Sequence, residues 1–395
     1  MKYRIAICNS QEFNPRIGGI ERVSVSLAEE LLKLDECKII FISYIRSPYS
    51  IKYDTPCRQY FLPDASDGSV NNYNELCRIL KEEDINVLIN QCSFSLEFHD
   101  ICHRAAEVTS CKHIACLHFN TDLWEWLYAD PIDFKFNTLK ENAIRFIKNL
   151  GYNKIFRFFS YKRQRLLYQT LVKDCDKVVL LSSNFYKSYK RIGKIDSCNK
   201  LAAIPNMISF PYVDKEYDKE KRILFCARMG EQKRPERVLY LWAKIFQKYP
   251  EWHLDMVGDG PLLQRLQDLA AELNTKNVVF YKFRDPIPFY QRSPIFIMTS
   301  NYEGWALTLL EAMQYKCVPI AFESYASITD IIDDGENGFL IKPFDVNTMA
   351  DKVEYLMRNP KDVVVMGRNA FQKVSNFRPS VVMKLWINLF EDLLY

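Results

Sequence analysis

The chain has 395 residues, 48% of them hydrophobic and 26% charged, with a formal net charge of only +4. That length suggests two or three domains with sizeable cores rather than one, and the near balance of charge excludes a protein-wide nucleic-acid footprint. No apolar run approaches the length of a membrane span, and the opening MKYRIAICNS reads as a strand rather than a signal peptide because its apolar core is too short.

In chain order, residues 3–8 read as a buried first strand. A loop with the pair Gly18-Gly19 follows, then a helix with apolar positions Val23, Leu27, Leu31 and Leu32. A Gly pair between a first strand and a first helix lets a ligand approach the backbone, although a simple turn satisfies the same residues. Residues 38–43, 86–90 and 113–118 read as further strands, alternating with helical segments as βαβ units of a parallel sheet do. His118 falls at the carboxyl end of its strand, where such sheets bind ligands. It reads equally well as an ordinary strand-end histidine. The twelve cysteines are dispersed, with no C-x-x-C pair. Cys92, Cys102, Cys111 and Cys116 lie near His99, His103, His113 and His118, but at spacings that match no standard zinc finger, so buried free thiols in a reducing compartment are expected and no metal site is assigned.

Residues 131–170 change in composition. Lysines and arginines such as Lys135, Lys140, Arg145, Lys162 and Arg163 interleave with Phe134, Phe136, Phe158 and Phe159. That mixture suits an anionic membrane surface, or a solvated helix pair whose aromatics pack inward. Residues 176–183 then read as a strand ending in serines, and Ala202-Ala203-Ile204-Pro205-Asn206-Met207 follows its helix.

In the second half, residues 222–227 form a buried strand with Arg228 at its end and Lys233 five residues on, before a helix. Two cations at such a strand–loop–helix mouth can reach one phosphate pair. Residues 253–257 are the next strand, closed by the turn Gly258-Asp259-Gly260-Pro261. The strand and loop 278–284 end in Phe283 and Arg284. The apolar run 294–298 then leads into TSNYEGWALTLLEAMQYK, residues 299–316: a strand, a tight loop and a helix in which Leu307, Leu310, Ala312 and Met313 recur at helical spacing. Free N–H groups in that first turn, with the helix dipole, suit a phosphate. Glu303 in the loop and Glu311 one turn inside the helix would repel it unless they hold hydroxyls instead, which fits a phosphate with a polyol at each end, such as a nucleotide sugar. Either glutamate alone also reads as a capping carboxylate or a solvent-exposed helical residue. Strand 318–322, the turn 334–341 and an amphipathic helix over 377–395 complete the chain.

Glu303-Gly304 with Glu311-Ala312-Met313 resembles the E-x7-E motif of retaining glycosyltransferases of family 4. The resemblance extends through Gly18-Gly19-x-Glu21-Arg22, the Arg228-x4-Lys233 element, the Gly-Asp-Gly-Pro turn and Asp334-Gly335-x-Asn337-Gly338. It implies an α/β GT-B fold: two Rossmann-like parallel-sheet domains facing a cleft, residues 1–200 for the acceptor and 201–375 for the nucleotide sugar, with the last helix, 376–395, crossing back to the first. It also implies retaining transfer of a hexose or N-acetylhexosamine from a UDP-sugar to a glycan or lipid-linked acceptor, in capsule, O-antigen or exopolysaccharide synthesis, without a metal or other cofactor. The implied roles are diphosphate stabilisation by Arg228, Lys233 and the backbone at Leu307 and Thr308, and sugar contacts by Glu303 and His118. Glu311 would hold the ribose, Phe283 and Arg284 the base, and Gly18, Gly19, Gly304, Trp305 and Ala306 would surround the donor. The chain departs from the family pattern at Met207, Ala227, Trp305-Ala306 and Lys316, where relatives usually have Gly, Gly, Phe-Gly and Gly. Two other activities remain open from sequence: a nucleotide-sugar epimerase on the same fold and a non-catalytic nucleotide-sugar binder. The expected location is the cytoplasm, peripheral to the membrane if residues 131–170 touch lipid.

Overall fold

The computed structural model describes residues 1–46, 53–123, 153–196 and 198–395. The chain divides into two compact units, each built on a parallel sheet. The first contains β1 (Tyr3–Gln11), α1 (Gly19–Leu31), β2 (Cys37–Ile45), β3 (Arg58–Phe61), α2 (Val70–Glu82), β4 (Val87–Asn90), α3 (Leu96–Thr109) and β5 (Lys112–Leu117). Then come α4 (Asn153–Asp174), which belongs to this unit from Tyr161 onwards and to the second before it, β6 (Lys177–Leu180), α5 (Phe185–Gly193) and β7 (Leu201–Ala203). Its strand order is β3-β2-β1-β4-β5-β6-β7.

The second unit contains β8 (Arg222–Cys226), α6 (Glu236–Ile245), β9 (His253–Val257), α7 (Leu263–Glu272), β10 (Val278–Tyr281), α8 (Ile287–Arg292) and β11 (Ile295–Met298). It continues with α9 (Leu307–Gln314), β12 (Val318–Phe322), α10 (Ile328–Ile331), β13 (Phe339–Ile341), α11 (Val346–Arg358) and α12 (Pro360–Val374). Its order is β10-β9-β8-β11-β12-β13.

The strands are continuous apolar runs because helices cover both faces of each sheet, leaving no solvated face to alternate towards. Ile5, Ile7, Phe41, Val87 and Ile114 fill one core of the first unit; Ile223, Phe225, Leu254, Ile297 and Ile320 fill that of the second. In each sheet the winding direction reverses once, between β1 and β4 and between β8 and β11. Loops leaving the carboxyl ends of those strand pairs diverge and open a crevice, the place where such sheets bind ligands.

The passage between units falls later than residue 200. β7 pairs with β6, and Ile204, Met207 and Ile208 are buried in the first unit, which therefore holds the chain through Ser209; the second unit takes over at Phe210. The chain returns after Asn376. Helix α13 (Pro379–Leu394) buries Val382, Met383, Trp386, Leu389 and Phe390 in the same core as β1 and β2. Most of the basic aromatic stretch, residues 131–152, lies outside the described residues. No helix among the described residues is long and apolar enough to cross a membrane.

Lys316, just past α9, has φ +60°, the left-handed region that favours glycine. Its side chain is anchored: Nζ lies 2.7 Å from Asp214 and 2.8 Å from Glu216 and sits over the Phe371 ring. The ion pairs offset a backbone cost of about 1 kcal/mol. We expect Lys316→Ala, which keeps the strain and loses the anchor, to lower stability by roughly 0.5–1 kcal/mol. Lys316→Gly, which loses both, should be closer to neutral; urea denaturation of the pair reads the ordering.

Candidate active site

The two loops at the second unit's crevice are stitched together. After β8 the chain turns through Arg228 to Lys233; after β11 it turns through Thr299 to Ala306. The Asn301 N–H donates to the Gln232 carbonyl at 2.9 Å, and the Thr299 hydroxyl reaches the carbonyls of Lys233 and Arg234, each at 2.9 Å. Gln232 Nε2 donates to the Tyr302 carbonyl at 2.9 Å and to Glu303 Oε2 at 3.1 Å. Arg237, from α6, donates to Asn301 Oδ1 at 2.7 Å. At the centre the Lys233 ammonium and the Glu303 carboxylate form a direct ion pair. Glu303 is buried, 6% exposed, so its charge is held by Lys233 and Gln232 rather than by water.

Arg228, by contrast, is exposed, and its side chain has no hydrogen-bond or ion-pair partner among the described residues. Its loop is held from behind by the Gly-Asp-Gly-Pro turn. The Met229 N–H donates to the Asp259 carbonyl at 2.9 Å, and the Leu262 N–H to the Met229 carbonyl at 3.0 Å. Gly258 has φ +139°, and a Cβ there would collide with the Ala227 carbonyl, so this close approach requires glycine. Ala227, where relatives usually have Gly, is accommodated because the closeness is achieved on the Gly258 side.

The loop before α9 is braced from the β12 side. The Ser327 hydroxyl donates to the Gly304 carbonyl at 2.8 Å and the Ser324 hydroxyl to the Ser300 carbonyl at 2.7 Å. Trp305 and Ala306 are buried. The Leu307 N–H turns back to the Trp305 carbonyl at 3.1 Å, so Leu307 is not the open anion donor that the sequence suggested. The N–H groups of Gly304, Ala306 and Thr308 have no hydrogen-bond partner among the described residues, and they remain as the loop's donors. Glu311 is not a solvated helical glutamate: it is 2% exposed, and the buried Tyr290 hydroxyl donates to its Oε2 at 3.0 Å. Phe283 and Arg284 lie on the loop after β10, both exposed, with Phe283 at 76%.

In the first unit, Gly18 ends the loop after β1 and Gly19 begins α1, at the reversal beside β4. A side chain at Gly18 would press on the Glu21 carboxylate, which folds back over the start of α1 and accepts from Asn9 Nδ2 at 2.8 Å. His118 immediately follows β5, and its Nε2 hydrogen-bonds the Gln91 amide oxygen at the end of β4. Burial lowers the imidazole to about 4. Gln91, Asn9, Gln232, Thr299, Arg237 and Tyr290 were missed from sequence. Only Gln91 carried a signal there, a polar residue directly after a buried strand.

Residues 211–373 match the Glycosyl transferases group 1 family. An uncharacterized glycosyltransferase of Haemophilus influenzae is 24% identical over 371 residues, covering 93% of this chain and 95% of the relative. A Campylobacter jejuni GalNAc-alpha-(1->4)-GalNAc-alpha-(1->3)-diNAcBac-PP-undecaprenol alpha-1,4-N-acetyl-D-galactosaminyltransferase is 24% identical over 387 residues, covering 95% of each chain. Among solved structures, the pneumococcal O-GlcNAc transferase GtfA in complex with UDP and GlcNAc superposes with a TM-score of 0.72 at 13% identity, over 100% of this chain and 99% of that one. With two parallel-sheet units and loops built as above, the chain is a glycosyltransferase of the GT-B fold, and residues 211–373 of its second unit match the glycosyl transferases group 1 model.

Proposed function

We propose that the protein is a retaining transferase that moves a sugar, a hexose or N-acetylhexosamine, from a UDP-sugar to a hydroxyl of a glycan or lipid-linked acceptor, in the synthesis of a cell-surface polysaccharide. One observation carries the reading: the Lys233–Glu303 pair, placed where the loops after β8 and β11 leave the crevice, with the exposed Arg228 beside it in sequence. An incoming diphosphate is a better partner for Lys233 than a carboxylate that can instead accept sugar hydroxyls. Donor binding would therefore exchange one satisfied pair for two charge-assisted contacts.

In the reaction, the bond from the anomeric carbon to the diphosphate oxygen breaks and the bond to the acceptor oxygen forms. The acceptor proton leaves on the departing phosphate. Arg228, Lys233 and the N–H groups of Gly304, Ala306 and Thr308 stabilise the negative charge that grows on the leaving group, each such donor worth roughly 2.7–4 kcal/mol. In this reading they supply the positive charge without a metal ion or other cofactor. Glu303 holds sugar hydroxyls, Glu311, oriented by Tyr290, holds the ribose, and neither acts as a glycosidase nucleophile. Phe283 and Arg284 would receive the base, with Trp305 and Ala306 shaping the sugar pocket. Gly18, Gly19 and His118 take the roles that the family resemblance implies, His118 as a neutral imidazole. The names of the Campylobacter and pneumococcal proteins, with their PP-undecaprenol and UDP, support the choice of acceptor and donor classes. A donor panel assayed by nucleotide release with lipid-linked acceptors, and the product's anomeric configuration by NMR, tests it; an inverted product or no nucleotide release overturns it.

The two cations separate activity from stability. Arg228→Ala should lower kcat about 10²–10³-fold with no change in Tm, since the side chain has no hydrogen-bond or ion-pair partner among the described residues. Lys233→Ala should lose comparable activity and also about 1–3 kcal/mol of stability, because the buried Glu303 loses its counter-charge.

His118 sets a pH dependence. Its folded value, about 4, lies below its ordinary 6.5, so only the unfolded chain takes up a proton as pH falls through 6.5. Its contribution to stability is complete above about 6.5 and lost on the way down to 4. His118→Asn should make that fall shallower by roughly 1–2 kcal/mol in urea melts at pH 7 and 4.5.

We further propose cytoplasmic placement with peripheral membrane contact. Phe158 and Phe159 on α4 are exposed, as are Lys162 and Arg163 on the next turn. Co-sedimentation with anionic vesicles at low salt is expected; no binding there would end the membrane part of the proposal.

A further inference from the structure

The amino end of the first sheet carries a cluster that transfer chemistry does not use. His99 and His103 stand one turn apart on α3, His113 is the second residue of β5, Asp174 ends α4, and Cys175 lies between α4 and β6. The rings of His99 and His113 stack with centroids 5.3 Å apart, and His103 closes the group at 6.3 and 6.4 Å. One ligand atom from each of His99, His113 and Cys175 lies within 4.8 Å of the others. The cysteines that the sequence had placed near these histidines are not the ones that join them; Cys175, more than sixty residues away in the chain, is.

We propose that His99, His113 and Cys175 form a binding site for a borderline-soft divalent cation of the zinc type, with Asp174 beside it. Four observations carry this. First, His99 and His113 are fully or almost fully buried within the cluster, with Nε2 of His99 facing Asp174 and Nδ1 of His113 facing Cys175, while the other nitrogen of each ring has no hydrogen-bond partner among the described residues. Two buried imidazoles held against a thiol and a carboxylate place four metal-ligating groups in one water-poor spot. Second, the spacing is close to that of a coordination shell. Cys175 Sγ is 3.7 Å from His113 Nδ1, and Asp174 Oδ2 is 3.4 Å from His99 Nε2. The edges of a tetrahedral zinc site built from the usual bond lengths are about 3.3–3.8 Å. Third, two imidazoles and a thiolate select Zn²⁺ or Co²⁺ over Mg²⁺ or Ca²⁺, which prefer oxygen donors. Fourth, there is a route in: His103, His113, Asp174 and Cys175 line a surface pocket of about 390 Å³.

Burial keeps both imidazoles neutral, as ligands must be. The Cys175 thiol, which burial holds protonated, releases one proton to water as its sulfur binds the cation. The cation would tie together α3, β5 and the α4–β6 junction. It is remote from the proposed reaction within this unit: His113 and His118 lie at opposite ends of β5, about 16 Å apart along the strand. The site therefore stands or falls independently of the transfer mechanism.

Titration of the metal-stripped full-length protein with Co²⁺ tests the proposal. We expect about one ion per chain, a thiolate-to-cobalt charge-transfer band in the near ultraviolet, displacement of Co²⁺ by Zn²⁺, and a raised Tm with either metal. Cys175→Ser should abolish the charge-transfer band and weaken binding at least 10-fold. Failure of the wild-type protein to bind Co²⁺ stoichiometrically overturns the site, and so does a charge-transfer band that survives Cys175→Ser. Should that variant not fold, His113→Gln takes its place, since losing an imidazole must also shift the cobalt d–d spectrum; an unchanged spectrum counts against the proposal.

Discussion

The contact between Lys233 and Glu303 joins two loops that leave adjacent strands, β8 and β11, at the only place in the second sheet where the winding reverses. A carboxylate buried there needs a counter-charge, and a lysine that supplies it is held at the crevice before any anion arrives. Most other features of the second unit serve that placement. Thr299 and Gln232 lock one loop to the other through backbone carbonyls. Arg237 braces Asn301 from α6. The Gly258 turn supports the Arg228 segment from beneath, and Ser324 and Ser327 fix the far loop from the β12 side. The crevice is thus organised in advance, and a charged ligand has little to rearrange on entering.

The strands were legible because a parallel sheet covered on both faces is written as unbroken apolar runs, and β9 and β12 fall where those runs predicted. β3 and β7 were not legible. Each is short and at a sheet edge, and Arg-Gln-Tyr-Phe and Leu-Ala-Ala carry no periodicity beyond what a loop can show. The candidate site was legible where charge met glycine and strand ends: Arg228, Lys233, Glu303 and Glu311. The residues that orient them were not. Tyr290 lies 21 positions before the glutamate it bonds, and Gln232 lies 71 before Glu303. A hydrogen bond between distant segments has no local signature in sequence. The same applies to Cys175 and His113, 62 positions apart.

Departures from the family pattern divide by mechanism. Lys316 keeps the left-handed backbone that glycine would adopt without cost, and the acidic residues of the incoming segment, Asp214 and Glu216, hold it there. Met207 contributes its side chain to the core of the first unit just before the chain leaves it. Trp305 and Ala306 are buried against the loop interior, so the added bulk is absorbed by packing and not displayed to solvent. In each case the side chain takes on a packing or pairing role, and at Lys316 the glycine-like backbone is kept as well.

Strand polarity also orders the first unit. Every strand of its sheet runs the same way, so every loop of one kind emerges at one edge. At the carboxyl edge, Gly18 and the Asn9–Glu21 bond shape the loop after β1, and His118 leans on Gln91 beside β4; these are a glycine, two side-chain amides, an imidazole and one carboxylate. At the amino edge, helices end and strands begin, and α3 and α4 are brought together with β5 over His99, His113, Asp174 and Cys175. That edge closes no catalytic crevice, so polar groups buried there cannot be explained by substrate. They face one another, His99 Nε2 towards Asp174 and His113 Nδ1 towards Cys175, which is the donor set the proposed cation would take.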